Sequence, residues 1–212
     1  LARPRTFHDG TVLDAAVECF WRRGLEATSV RELGAVMRLN APSLYNAFGD
    51  KRALFLAALE RYAATTLRPR LDRLAANPSP RASILDFFDE IISRSVADPE
   101  RRGCFVINTA LDAAPHDAGI AKAINAYFSE IEAFFRDRLI AARETCEVAS
   151  AIEPPEVARL LLGLLIAIRV LARTGATRAT LESMARPALA MLEPPTLAAK
   201  TNPNPARKDF DR

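Results

Sequence analysis

The chain has 212 residues, half of them hydrophobic, with only eight glycines and a formal net charge of +3. That length allows one large or two small domains around a sizeable core, and the dominance of Ala, Leu, Arg and Glu without β-branched alternation points to an all-α protein. Composition also excludes several classes. The longest apolar run, Leu160–Ile168, is too short to span a bilayer, no apolar stretch of a signal peptide follows Arg3 and Arg5, and Cys19, Cys104 and Cys146 match neither a disulfide framework nor a zinc spacing. A cytoplasmic protein with no metal, cofactor or membrane partner is expected. An enzyme is not: there is no glycine-rich phosphate loop, and the only imidazoles, His8 and His116, lie in no catalytic motif. The basic excess is confined to residues 1–70, which hold 11 Lys and Arg against 7 Asp and Glu, whereas the remainder holds 18 against 19.

In chain order, residues 1–8 read as a flexible basic arm, and a first helix is predicted over about Thr11–Arg23 with Val12, Ala16, Cys19 and Phe20 on one face. Ser29 followed by Glu32 is a capping-box signal, and Val30, Leu33, Val36 and Met37 recur at helical spacing as the buried face of a second helix. Asn40 caps a third helix, Ala41–Phe48, with Pro42 in its first turn and Leu44 and Phe48 facing inward. Gly49-Asp50 ends that helix and caps a fourth, which starts at Lys51 and is expected to end before Pro69. A further turn over Leu71–Leu74 precedes a break at Asn77–Pro80. Amphipathic helices are then predicted over Arg81–Val96, Gly103–Ala113, Ala118 to about Val148, Pro155–Thr174 and Thr180–Leu192, with Pro187 a kink or early end in the last. From Glu193 the composition suggests a disordered tail.

Two short helices and a tight turn leading straight into another helix form a helix-turn-helix, which places one helix in the DNA major groove. The residues Thr28-Ser29, Leu33, Ala35, Ser43-Leu44-Tyr45, Phe48 and Asp50-Lys51-x-Ala53-Leu54, with Ala15-Ala16, Phe20 and Gly24 upstream, resemble the DNA-binding domain of the tetracycline-repressor (TetR) family. The resemblance covers the first quarter to third of the chain and becomes architectural beyond about residue 70. It departs from the pattern where Arg38 replaces the turn glycine and where Ala47 replaces an aromatic or histidine. It implies a helix-turn-helix domain with its arm over 1–55, a helical effector-binding and dimerisation domain over 56–192, and a tail over 193–212.

The resemblance assigns Ser43, Tyr45 and Lys51 to DNA phosphates and Arg38, Ala41, Pro42 and Asn46 to base edges. Asn pairs with adenine, Arg with guanine, and Ala and Pro pack on thymine methyls. Ser29, at the start of the second helix, joins this set. Arg3 and Arg5 can enter an A·T-rich minor groove. The expected partner is a partly palindromic double-stranded operator bound by a homodimer. Leu160, Leu161, Leu164, Leu165, Ile168 and Leu171 cover too much of one helix for a single-sided contact, which suits a dimer interface, a central core helix, or both; the interface is expected at Leu161, Leu164, Leu165, Ile168 and Leu171. A small apolar or amphipathic effector is expected among the middle helices, with candidates Phe88, Ile92, Cys104, Phe105, Asn108, Tyr127, Ile131 and Phe135. Cys104, after Arg101-Arg102-Gly103 at a helix start, opens an alternative: a repressor sensing oxidants or electrophiles through this thiol, against the plainer role of a small buried hydrophobe.

Overall fold

The computed structural model describes residues 9–194, which are helical with no strand among them. Arg3, Arg5 and nearly all of the expected tail lie outside the described residues. The first unit comprises α1 (Asp9–Arg23), α2 (Val30–Met37), α3 (Ala41–Phe48) and α4 (Lys51–Tyr62). The starts of α2, α3 and α4 each carry a side-chain cap. The Ser29 hydroxyl accepts from the Glu32 amide while the Glu32 carboxylate accepts from the Ser29 amide at 3.0 Å. Asn40 Oδ1 accepts from the Ser43 amide at 2.8 Å, and Asp50 Oδ1 from the Ala53 amide at 2.6 Å. Ala16, Phe20, Leu33, Leu44 and Leu54 are wholly buried and hold the unit together. Val36 is not on the buried face as its spacing suggested: it is 48% exposed, because an eight-residue helix packed on α1 and α3 buries only Leu33, Gly34 and Met37.

The turn between α2 and α3 depends on two residues. Arg38 adopts the left-handed conformation (φ 55°, ψ 39°), as expected for the position where the family pattern has glycine. The Leu39 amide then reaches back to the Gly34 carbonyl at 2.9 Å and the Arg38 amide to the Ala35 carbonyl, closing the helix end with its carbonyls satisfied. A Cβ at Gly34 would lie 2.7 Å from the Leu39 carbonyl oxygen, so this close backbone return requires glycine there.

The fourth helix does not stop before Pro69. Five residues of π-helix, Ala63–Leu67, follow α4 and lead directly into α5 (Arg68–Ala75), with Pro69 in its first turn. Proline lacks an amide proton and its ring crowds the carbonyl four residues earlier. The widened turn, in which the Arg68 amide bonds the Ala63 carbonyl five residues back, makes room for the ring. One rod therefore runs from residue 51 to residue 75.

The second unit contains α6 (Pro80–Ala97), α7 (Phe105–Asp112), a short 3-10 turn (Ala114–His116), α8 (Ala118–Glu144), α9 (Pro154–Arg173) and α10 (Arg178–Ala190). α8 ends before the expected boundary near Val148, capped by Thr145 and followed by Cys146, whose φ is 58°. Thr177 caps α10, and Pro187 lies inside it without ending it. Phe87, Phe88, Phe134 and Phe135 pack together where α6 meets α8, with Phe88 and Phe135 stacked at 5.7 Å. On α9 the apolar surface is shared out: Leu161, Leu164, Leu165 and Ile168 are buried within the chain, whereas Leu160 and Leu171 are exposed.

Replacing Gly34 with alanine is expected to destabilise the chain by about 1–3 kcal/mol, because the contact is with backbone that cannot rotate away. Urea unfolding followed by circular dichroism checks this.

Candidate nucleic-acid interface

α3 presents two faces. Leu44 is fully buried and Phe48 half-buried, which locks the helix onto α2 and α4. Truncating Leu44 to alanine would cost about 2–5 kcal/mol. Ala41, Pro42, Tyr45, Asn46 and Ala47 are exposed, Ser43 is half-buried, and Arg38 is exposed at the turn just before the helix. The Tyr45 ring is 46% exposed and its hydroxyl has no partner among the described residues. Lys51, at the N-terminus of α4, donates to the Thr28 carbonyl at 3.2 Å. An ammonium has three donors, so this bond aims the side chain at the start of α2 and leaves protons for an anion. Ser29 is engaged twice in its capping box, donating to Glu32 Oε2 at 2.9 Å as well as accepting. The structure thus leaves Arg38, Ala41, Pro42, Tyr45 and Asn46 exposed on or beside α3, keeps Ser43 and Lys51 partly exposed, and engages Ser29 in capping α2. Arg31, exposed on α2, was not among the expected site residues.

This unit is clipped to the rest of the chain at both ends. Arg52 makes a two-pronged ion pair with Asp117, Nε to Oδ2 at 2.5 Å and Nη2 to Oδ1 at 2.7 Å. Asp117 also caps α8 by accepting from the amides of Gly119 and Ile120. The Arg52 guanidinium and these amides hold its carboxyl well below the usual carboxylate range. At the other end, Arg102 donates to Glu18 of α1 at 3.0 Å, and its guanidinium lies 4.6 Å over the Trp21 ring. Arg22 pairs with Glu100 at 3.2 Å. Between the clips runs an aromatic seam in edge-to-face contact, from Phe20 to Phe55 to Phe105 to Tyr62 to Trp21.

An exposed helix of this kind, carried by a capped turn and flanked by Arg38 and Lys51, is built to enter a groove of DNA, and comparison with known proteins agrees. Residues 12–58 match the family described as bacterial regulatory proteins, tetR family, and residues 80–188 the tetracyclin repressor-like C-terminal domain. The chain belongs to the TetR family. It is similar to the HTH-type transcriptional regulator YezE of Bacillus subtilis (strain 168), 32% identical over 149 residues that cover 70% of this chain and 76% of the relative. It is also similar to the HTH-type transcriptional repressor ComR of Escherichia coli (strain K12), 28% identical over 184 residues covering 82% and 84%. Among solved structures it resembles a cysteine mutant of the TetR-family regulator CifR complexed with 26-bp operator DNA (32% identity, TM-score 0.79, covering 89% of this chain and 98% of that one). The reduced form of E. coli NemR shares the fold at 20% identity and TM-score 0.81, covering 90% of this chain and 100% of that one. The protein is therefore a TetR-family DNA-binding transcriptional regulator, a non-enzymatic role. No helix among the described residues is long and apolar enough to cross a membrane.

In the TetR core domain, the eight expected effector contacts do not converge. Cys104 and Ile131 line one small cavity, bounded also by Tyr62, Arg70 and Arg169. Phe88 and Ile92 line a groove against α10, and Phe88 also stacks on Phe135 in the packed aromatic cluster. Phe105 is part of the seam, Asn108 donates to the Arg102 carbonyl at 2.7 Å, and Tyr127 donates to Glu60 at 3.1 Å. Cys104 is half-buried, and its sulfur lies 3.8 Å from the Tyr62 hydroxyl. Burial pushes the Tyr62 phenol above its usual range.

The Arg52–Asp117 clip has a pH signature. A carboxylate held below its ordinary value of 3.8 contributes stability that is complete above that value and is lost as pH falls through the lower, folded-state value. The stability gap between the parent and Arg52→Ala is therefore expected to be largest near about pH 5 and to narrow toward about pH 2, as read by thermal unfolding across that range.

Proposed function

We propose that this protein is a homodimeric repressor that leaves a partly palindromic operator when a small apolar or amphipathic molecule occupies its core domain. The observation that carries the reading is that the unit holding the exposed α3 is clipped to the core at two places, through Arg52 of α4 to Asp117 and through Glu18 of α1 to Arg102. A change of packing in the core then has two rigid routes to the orientation of α3. In this reading Ser43, Tyr45 and Lys51 hold phosphates, and Arg38, Ala41, Pro42 and Asn46 meet base edges. An effector that favours the non-binding orientation by about 100-fold supplies about 2.7 kcal/mol of coupling.

A two-fold dimer places two α3 helices on successive major-groove faces. Its interface is assigned to α9 on the side the chain leaves uncovered. Of the five leucine and isoleucine positions expected there, Leu171 is exposed and the other four are buried inside the subunit. Leu160, Gly163 and Leu171 supply the outer stripe, and the space around a Cβ at Gly163 is open, which allows a second helix to approach closely.

A second reading rests on the contact between Cys104 and Tyr62. Modification of this thiol by an oxidant or electrophile would press on Tyr62, the last residue of α4 before the π turn. If Cys104→Ser releases DNA under oxidant as the parent does, this reading fails.

Fluorescence anisotropy on DNA from upstream of the gene, beside scrambled DNA at two salt concentrations, is the direct test of the main reading. Binding to the upstream DNA is expected to be several hundred-fold tighter. Tyr45→Ala is expected to weaken it about tenfold, equivalent to about 1.4 kcal/mol, with the thermal midpoint unchanged. Parental affinity in Tyr45→Ala would remove α3 as the recognition helix.

A further inference from the structure

One buried arginine of the core domain has no charge partner among the described residues. Arg169, on the inner side of α9, is only 7% exposed. Its Nη1 donates to the Ser95 hydroxyl at 2.9 Å, its Nε has no hydrogen-bond partner, and no carboxylate pairs with it among the described residues. A buried guanidinium without an anion is costly, and the fold retains it on the wall of a cavity of about 320 Å³. Trp21, from α1 of the DNA-binding unit, stands on the same wall, and its indole Nε1 is likewise buried and unpartnered. Two residues, each with an idle buried N–H, thus line a single space, and a modest turn of either side chain would bring its donor to a ligand there.

The charge around that space is one-sided. Five arginines line it against one carboxylate, Asp98. Asp98 is already occupied by the backbone amides of Glu100 and Arg102 and by the Arg102 guanidinium. Arg70, 8% exposed, donates to Glu90 at 3.1 Å, but that single carboxylate is shared with Arg73 and Arg94. The rest of the lining includes the Trp21 ring, Ala97, Pro99 and Ala172, an apolar surface suited to a small flat or aliphatic body.

We propose that this cavity binds a small organic oxyanion, a carboxylate or phosphate ester with a compact apolar body, through Arg169 Nε and the Trp21 indole N–H. The proposal rests on the effector reading above and narrows it. The ligand seats beside the π turn, against the Arg102–Trp21 stack, rather than among the aromatic residues of α6 and α8. It touches α1, the α4–α5 joint and α9 at once, so its binding energy acts on the clip between Arg102 and α1.

Trp21 is the only tryptophan in the chain and lines this cavity, so its emission is the reporter, and Arg169→Gln separates this cavity from the smaller space that Trp21 also borders. Benzoate, phenyl phosphate and the neutral isostere benzamide are titrated at matched ionic strength, with operator anisotropy followed in parallel. Both anions, or the one whose head group the site prefers, are expected to change Trp21 emission saturably, while benzamide at tenfold higher concentration does not. Arg169→Gln is expected to raise the apparent Kd at least tenfold. Equal response to benzamide, no saturable response to either anion, or unchanged anion binding in Arg169→Gln would each overturn the proposal. If Arg169→Gln does not fold, the anion-against-amide comparison in the parent decides alone. A Trp21 response without DNA release keeps the anion site and removes the effector reading. DNA release by benzamide without any anion response keeps the effector reading and removes the anion site.

Discussion

The fold depends on the double burial of α4. Phe55 meets Phe20 of α1 at 4.9 Å on one side and Phe105 of α7 at 5.5 Å on the other, and Leu54, Ala58 and Leu59 are wholly buried between. The helix therefore belongs to the core of both units. A close-packed interior does not deform continuously, so a displacement imposed at α7 or at the π turn has to be passed to α1 rather than absorbed. Pro69 sharpens this. Because its ring is accommodated by a π turn and not by a break, α4 and α5 form one lever across the two units.

Around that apolar seam, charge supplies geometry more than stability. Arg52–Asp117, Arg102–Glu18 and Arg68 with Glu60 and Glu130 are partly exposed pairs, each worth little in isolation. Their value is directional: the two-pronged contacts of Arg52 with Asp117 and of Arg68 with Glu130 fix the angle between elements. Gly119 serves this purpose: a Cβ there would fall 2.1 Å from the Arg52 guanidinium. The same pairs revise the meaning of the basic excess in residues 1–70. Arg22, Arg23, Arg52, Arg61, Arg68 and Arg70 are bound to carboxylates within the chain. Of the described residues in that segment, Arg31, Arg38 and Lys51 are left facing outward from the recognition unit. Arg22, Arg52, Arg68 and Arg70 pair with carboxylates of the second unit, so part of the local basic excess builds the joint between the two units.

The two kinds of arginine contrast instructively. Those that join the elements, such as Arg52, Arg68 and Arg102, have carboxylates, whereas Arg169 is buried with the Ser95 hydroxyl as its partner. Both occur in a chain whose net charge is small, so bulk electrostatics cannot distinguish them; burial and the identity of the neighbours do.

The sequence alone determined the helical class, the three caps Ser29, Asn40 and Asp50, the turn at Arg38 and the outward set on α3. Each of these is a local property: a side-chain oxygen reaching an amide three residues on, or a period of 3.6 residues sorting one face from another. Only the tertiary structure decided which side of α9 is covered, because an apolar run that goes all round a helix carries no phase and Leu161 cannot be told from Leu160 by spacing. It also decided that Val36 is exposed, that Pro69 sits within a continuous rod, and that the middle-helix aromatics fill the core rather than surround one cavity. The meeting of Trp21 with Arg169, and of Arg52 with Asp117, joins residues far apart in the chain. No periodicity encodes such pairs; they follow from how whole helices pack.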